Sequence, residues 1–168
     1  MKKYKLTNKE MKTHKGFQWE LGKKEVIEKK GNALCTDAVF HFYDHPFLAY
    51  IFNSIHADIT EPRLFECEVG DIVAHDGTKG GCKAMTLTKE LAVKKISTEK
   101  IIEFAIRSAM LVYADIGFNN WANGWLTKKD RSEIAARAAS EAWAARVASK
   151  GKNISLKFID IIEEIREE

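Results

Sequence analysis

The spacing of apolar residues changes part-way along this chain, and that change limits the folds it can adopt. Between residues 4 and 93, apolar and polar residues alternate in short segments separated by turn-forming residues, a pattern typical of β-strands. From residue 97 onward, apolar residues recur every three or four positions, as on the buried face of a helix. We therefore predict an α+β protein. Residues 1–95 should form a mainly antiparallel sheet with one short helix, and residues 96–168 a helical subdomain packed on it.

The first half contains several predicted strands and one predicted helix. Residues 17–21 alternate in character, and a turn at Gly22 leads into a second strand at 25–28, which indicates a hairpin. A buried strand at 38–42 leads through a proline into a short helix at 47–54. The later segments are predicted as strands at 65–69, 72–74 and 82–87, with a mobile loop at 76–81.

The second half is predicted to be helical. Ser97 or Thr98 caps a helix that is apolar on nearly every face and ends at Gly117, before an aromatic loop at 118–125. An Ala-rich helix is predicted at 134–149. The last helices could close the core or pair with a second copy of the chain, and closure is the favoured interpretation. The apolar stripe of the final helix consists of Phe158, Ile161, Ile162 and Ile165.

Composition excludes several classes of protein. With 45% hydrophobic and 30% charged residues, the chain is neither disordered nor a membrane protein. Its lysine-rich start lacks the apolar run of a signal peptide, so a cytoplasmic protein with no membrane contact is expected. Cys35, Cys67 and Cys82 are widely spaced, which favours free, mostly buried thiols over a disulfide or metal site.

Charge is segregated along the sequence. Residues 1–30 contain ten Lys against four Glu, whereas residues 31–80 contain two basic and eight acidic side chains. These blocks could neutralise one another, or they could form a basic face for nucleic acid or an acidic face for a basic protein groove. Arg63 is the only arginine in the first 100 residues, and arginine is the usual reader of nucleic acid. A protein partner is therefore favoured over nucleic acid.

The aromatic and ionisable segment from Phe40 to Pro46 is the first candidate site. His41 and His45 are four residues apart, a spacing that would suit a metal on a helix. A strand followed by a proline turn should direct the two rings apart, so no metal is predicted. The candidate ligand-binding residues are His41, Tyr43, Asp44, His45 and Tyr50.

Three separated segments carry a resemblance to a known family. They are Lys-Gly-Phe-Gln-Trp-Glu-Leu-Gly-Lys at 15–23, the Cys-to-Pro segment at 35–46, and Arg-Leu-Phe-Glu-Cys-Glu-Val at 63–69. In this order they resemble an uncharacterised domain family scattered through phage and prophage genomes. The resemblance covers residues 4–95 and implies a phage origin without implying an activity. Val39 and Tyr43 stand where the family usually has Gly and Cys.

Two functions from different classes follow as expectations. The first is a phage or prophage accessory protein that binds a host or phage macromolecule. An anti-defence inhibitor is one protein of this kind. The acidic block at 31–80 and the partner-binding residues Trp121 and Trp125 would form its contacts. A purely structural role through the C-terminal helices, including a homodimer, is a further interpretation.

The alternative is an enzyme. The order of a His-bearing strand, a helix and acidic strands is similar to the split sheet of ADP-ribosyltransferase-like domains. That resemblance implies that His41 contacts NAD and that Tyr43 or Tyr50 stacks on nicotinamide. The candidates for the catalytic acid are Glu66, Glu68 and Glu90. No cofactor other than NAD is predicted.

Overall fold

The computed structural model describes residues 2–92, 96–111, 115–129 and 154–167. The chain divides into two compact units, Met1–Lys94 and Lys95–Glu168. An antiparallel sheet lies in the first and helices lie in the second, so the predicted α+β class is confirmed. The predicted Ala-rich helix at 134–149 lies outside the described residues.

The first unit contains a five-stranded antiparallel sheet. Its strands are β1 Lys3–Thr7, β2 Lys24–Val26, β3 Phe40–Phe42, β4 Arg63–His75 and β5 Gly80–Leu91. The order is β1-β4-β5-β2, and β3 pairs with the beginning of β5, where β2 does not reach. β4 and β5 form a long hairpin with two register shifts, each of which increases the local twist.

Strong twisting allows four of these strands to close into a ring. Tyr4 of β1 and Tyr43, one residue after β3, exchange both backbone hydrogen bonds at 2.9 and 2.8 Å. β1 is therefore bonded to β4 on one side and to the end of β3 on the other, and β5 completes the circuit. The apolar side chains clustered in this unit are Trp19, Phe40, Phe42, Phe65, Cys67, Cys82, Met85 and Leu87.

Residues 17–21 do not form the predicted strand. Only Trp19 is buried, at 2% exposure, whereas Phe17 and Leu21 are 37% and 51% exposed. The segment is flanked by left-handed backbone at Lys15 and Gly22 and makes isolated bridges instead of a strand. Trp19 anchors it, because its Nε1 donates to Thr13 Oγ1 at 3.0 Å.

The predicted mobile loop at 76–81 is a buried hairpin turn. Asp76 Oδ1 accepts hydrogen bonds from the backbone and hydroxyl of Thr78 at 2.8 and 2.7 Å and from the Lys79 backbone at 2.9 Å. β5 begins directly afterward at Gly80. A methyl group at Gly80 would lie 2.1 Å from Phe42 Cζ, so the close approach of β3 requires glycine there. The glycines indicated a loop in the sequence because they are common in turns, but here they admit an aromatic ring.

Two short helices replace the single predicted one. α1 spans Pro46–Ile51 and α2 spans Asn53–His56, with Phe52 between them at φ −87° and ψ 0°. His45 caps α1, since its Nδ1 accepts a hydrogen bond from Phe47 N at 3.2 Å. Proline at the first position of α1 loses no helical hydrogen bond.

The second unit contains α3 Thr98–Met110, α4 Ile116–Leu126 and α5 Ile154–Glu167. Ser97 caps α3 as predicted. The predicted aromatic loop at 118–125 is wrong, because it lies within α4, and Gly117 is near the start of that helix rather than at the end of another. Asp115 Oδ1 caps α4 by accepting from Phe118 N at 2.7 Å.

The apolar stripe predicted for the final helix lies on α5, and its four residues are buried. Phe158 packs against Phe104 of α3 with ring centroids 5.6 Å apart, and Ile161, Ile162 and Ile165 are also buried. None of the helices that the structure describes combines the length and apolar character needed to cross a membrane.

Candidate functional site

Three ionisable side chains lie together: Cys35 from the segment before β3, His41 from β3 and Lys79 from the β4–β5 turn. The backbone N–H of Cys35 donates to His41 Nε2 at 2.9 Å, and Lys79 Nζ donates to Cys35 Sγ at 3.3 Å. Cys35 is exposed and has a left-handed φ of 62°. Burial, reinforced by the positive charges of Lys5 and Lys79, lowers the pKa of His41 to about 4. His41 is therefore neutral at pH 7.

A lysine on β5 holds the segment that carries Cys35. Lys83 Nζ donates to three backbone carbonyl oxygens, those of Lys29 at 2.8 Å, Gly31 at 2.5 Å and Ala38 at 2.6 Å. These bonds use all three N–H groups of the ammonium. The segment is thus fixed to the sheet at both of its ends, which gives Cys35 a defined position without regular secondary structure.

Tyr43 and His56 form a second polar pair. The Tyr43 hydroxyl lies 3.0 Å from His56 Nδ1, and the two rings are stacked with centroids 6.0 Å apart. Burial, and then the charge of Lys79, lower the pKa of His56 to about 4, while burial raises the pKa of Tyr43. A neutral imidazole and an un-ionised phenol suit this geometry, with the hydroxyl donating. α2 places the His56 ring where it stacks with both Tyr43 and Phe52.

Asp44 lies in a separate charged group. Its Oδ2 is 2.7 Å from His75 Nε2, and its Oδ1 accepts from Lys3 Nζ. His75 Nδ1 accepts from Gly77 N at 3.0 Å, so the ring proton belongs on Nε2, where it is donated to Asp44. Burial opposes ionisation, but the hydrogen bonds from His75 and Lys3 outweigh it and lower the pKa of Asp44 to about 2.

The Lys5 side chain is buried inside the ring of strands and contacts the backbone of His41. Its Nζ donates to the His41 carbonyl oxygen at 2.8 Å and lies 5.1 Å from the centre of the Trp19 ring. Burial lowers the pKa of Lys5 to about 8. The ammonium therefore ties β1 to β3 from the interior, and sequence patterning missed this role because lysine on a strand normally indicates solvent.

Three of the predicted ligand-binding residues, His41, Tyr43 and Asp44, lie on β3 or directly after it. They do not form one site, because His41 contacts Cys35, Tyr43 pairs with His56, and Asp44 pairs with His75. His45 is a helix cap rather than an open ligand. Burial raises the pKa of Tyr50 to about 12, and its hydroxyl is buried with no hydrogen-bond partner among residues the structure describes.

The candidate catalytic glutamates do not gather beside His41. Glu66 lies across β1 from Tyr43, since both pair with Tyr4, and its Oε1 is 3.0 Å from Lys2 Nζ. Glu68 is exposed and lies opposite Thr86.

The third glutamate is at the far end of β5. Glu90 forms a two-bond ion pair with Arg63 at 2.6 and 2.7 Å. Gly81, which pairs with His41, is nine residues away from Glu90, roughly 30 Å of extended strand.

Trp121 and Trp125 lie on α4 instead of an open loop. Trp125 is 4% exposed and packs with Ile106 and Ala122 in the core of the second unit, so its side chain is not available to a partner in this conformation. Trp121 is partly buried and packs against Phe118.

Cys35, His56 and Lys79 are site residues that no sequence pattern predicted. Cys67 and Cys82 are buried as predicted, but Cys35 is exposed. The spacing of these residues carries no motif, because a loop, a short helix and a turn bring them together. No group of three His, Cys, Asp or Glu side chains in the described parts of the chain could hold a metal ion.

A groove of about 440 Å³ lies elsewhere on the first unit. One wall is the turn after β1, residues 8–14, and the other is the segment after α2, residues 57–61. We call it the 8–14/57–61 groove. Its walls carry both signs of charge, from Lys9, Lys12, Glu10, Asp58 and Glu61.

The family model for a domain of unknown function, DUF7666, matches residues 1–99. The chain belongs to this family. The match covers the five-stranded sheet of the first unit and the start of α3. It confirms the expectation of an uncharacterised domain in this part of the chain. No curated protein and no solved structure matches the sequence.

Proposed function

We propose that this DUF7666 protein is a phage or prophage accessory protein that binds a host or phage protein in the cytoplasm. The observation that supports binding most directly is the 8–14/57–61 groove, which is open and formed by two walls that are each held in place by an asparagine. The phage origin is supported by the three sequence segments at 15–23, 35–46 and 63–69.

Asn8 organises the first wall. Its Oδ1 accepts hydrogen bonds from Glu10 N at 3.1 Å and Lys12 N at 2.7 Å, which folds the turn around Met11, whose φ is 59°. Arg63 Nη1 also donates to the Lys9 carbonyl oxygen at 3.1 Å. This wall therefore needs little ordering when a partner binds.

Asn53 organises the second wall. Its side chain donates to the Ile59 carbonyl oxygen at 2.9 Å and accepts from Ile59 N at 3.0 Å. Asp58 and Glu61 in this wall have φ values of 46° and 49°, which cost backbone energy in non-glycine residues. Strained segments of this kind concentrate at functional sites, and a pre-formed surface loses less conformational entropy on binding.

The charges favour a protein over nucleic acid. Lys9 and Lys12 could contact carboxylates, but Glu10, Asp58 and Glu61 in the same groove would repel phosphates. A polypeptide segment with both signs of charge complements this surface. An inhibitor of a host defence complex needs only such a surface, because it acts by occupying a surface of its target.

Affinity capture with charge-reversed variants tests this proposal. The full chain, a Lys9→Glu/Lys12→Glu variant and a Lys24→Glu/Lys89→Glu control would each be incubated with lysate from a phage-infected bacterium. We expect a protein captured by the wild type and the control to be lost from the groove variant. Identical captured sets for all three proteins would overturn the assignment of the groove.

NAD binding is a second proposal, and the neutral His41 and the neighbouring Lys79 cation support it. A thermal-shift titration with NAD tests it, because a ligand at 100 times its Kd adds about 2.7 kcal/mol to the free energy of unfolding. A shift that is lost in His41→Ala would support it. An unchanged melting temperature at millimolar NAD would contradict the proposal of NAD binding.

A further inference from the structure

The two walls of the 8–14/57–61 groove carry opposite charges. Lys9 and Lys12 line the first wall, and Asp58 and Glu61 line the second. All four residues are exposed, and among the residues that the structure describes no ion pair joins one wall to the other. The opposite charges therefore stand apart across an open space instead of neutralising each other.

Glu10 is the acidic residue of the first wall, and it is held within that wall. Its Oε2 accepts a hydrogen bond from Asn8 Nδ2 at 3.1 Å, and its backbone N–H donates to Asn8 Oδ1 at 3.1 Å. This carboxylate is tied to its own turn, whereas the two lysines of the wall are not. The first wall thus presents a net positive charge to a ligand.

Backbone hydrogen bonds fix the positions from which these charges extend. Asn8 N donates to the Lys12 carbonyl oxygen at 2.9 Å, and Lys12 N donates to Asn8 Oδ1 at 2.7 Å. On the other wall, Asp58 N donates to the Asn53 carbonyl oxygen at 2.6 Å. The fold therefore sets the separation of the two signs, although the charged side chains themselves are solvated.

The size of the groove favours an extended partner segment over a helix. A helix is about 10 Å across and rises about 5.4 Å per turn, so the 440 Å³ of this groove would hold roughly one turn. An extended segment is narrower, and its successive side chains point to opposite sides. Alternate residues of such a segment, lying along the groove, would meet opposite walls.

We infer that the partner presents an extended segment in which acidic and basic residues alternate. Its acidic residues pair with Lys9 and Lys12, and its basic residues pair with Asp58 and Glu61. A segment of one sign is repelled by one of the walls, and juxtaposed like charges select against wrong partners. This inference rests on the proposed function, because it names the chemistry of the protein that the groove binds.

Two short fluorescein-labelled peptides test it, one of alternating Glu and Lys and one of repeated Glu-Glu-Lys-Lys. They have the same composition and net charge, but in an extended chain only the first places the two signs on opposite sides. Fluorescence anisotropy with the full chain at low salt measures both affinities. We expect the alternating peptide to bind about tenfold more tightly, because several exposed ion pairs each contribute a small factor.

Lys9→Glu/Lys12→Glu makes both walls acidic and should abolish this preference, whereas the Lys24→Glu/Lys89→Glu control should keep it. Circular dichroism verifies that each variant is folded. Equal affinities of the wild type for the two peptides, or a preference that persists in folded Lys9→Glu/Lys12→Glu, would overturn the inference.

Adding Asp58→Lys and Glu61→Lys to the groove variant exchanges the two walls. The preference should then return, since an extended peptide shifted by one residue presents the opposite signs. If this variant does not fold, the wild type and the two double variants still decide. Equal peptide affinities beside a groove-dependent capture from lysate would overturn this inference alone. Captured sets that do not differ between the wild type and Lys9→Glu/Lys12→Glu would instead count against the proposed function.

Discussion

The carboxylate of Asp44 accepts a hydrogen bond from His75 at 2.7 Å, which joins the end of β3 to the end of β4. Together with Lys3, His75 keeps this half-buried carboxylate ionised, with a pKa of about 2. In the unfolded chain, where the carboxyl is fully solvated, its pKa is near 3.8, and this difference makes part of the stability dependent on pH.

Asp44 should contribute roughly 2 kcal/mol to the free energy of unfolding at neutral pH. Because its folded pKa is the lower one, the contribution is complete above pH 4 and is lost as the pH falls toward 2. Urea unfolding of wild type and Asp44→Asn between pH 2 and 7 measures it. The two curves should converge at the acid end, and a difference that is independent of pH would contradict the assignment. Glu68→Gln is the control, because Glu68 is exposed.

His41 and His56 should destabilise the fold as the pH falls from about 6.5 to 4. Both have folded pKa values of about 4, so the unfolded chain binds protons that the folded chain does not. NMR titration of ring carbon shifts should show no protonation of either histidine above pH 5. A midpoint near 6.5 for either ring would show that its side chain is more open to solvent than the geometry indicates.

Lys83→Met should loosen the segment that carries Cys35. The substitution removes three hydrogen bonds to backbone carbonyls, and we expect a loss of about 2 kcal/mol together with faster amide exchange in residues 29–38. Lys89→Met is the matched control on the same strand. Equal stability of the two variants in urea would mean that these carbonyls are satisfied equally well by water.

Gly80→Ala should destabilise the sheet by roughly 2–3 kcal/mol, because its methyl group would overlap the Phe42 ring. Gly70→Ala is the control, since a methyl group there would meet Ala84 Cβ at an ordinary 3.4 Å. Thermal unfolding of both variants distinguishes steric overlap from a general effect of replacing strand glycines. Similar melting temperatures for both would contradict the predicted overlap.

Local patterns predicted the elements whose own residues determine them. The stripe of α5 and the Ser97 cap of α3 depend on neighbours three or four residues away, and both could be found in the sequence. The α4 helix was missed because its glycines and asparagines indicated a loop. Asp115 before an aromatic repeat at Phe118, Trp121 and Trp125 was the helical signal.

The candidate site could be predicted only in part for a different reason. His41 was found because its own segment is unusual, but its partner Cys35 is held by Lys83 and contacted by Lys79, both far along the chain. Contacts of this kind depend on how β3 and the β4–β5 turn meet, and no spacing in the sequence records that. The glutamates failed to gather beside His41 because β5 is long enough to separate its two ends.

The backbone hydrogen bonds between Tyr4 and Tyr43 give β1 a partner on each side, β4 on one and the end of β3 on the other. Removing residues 2–7 would leave the outer edge of β4 and the end of β3 without backbone partners at the same time. Unpaired strand edges recruit strands from other molecules, so a short N-terminal deletion should make the sheet prone to self-association. Protein engineering on this domain would therefore place fusions where they leave β1 free to close the ring.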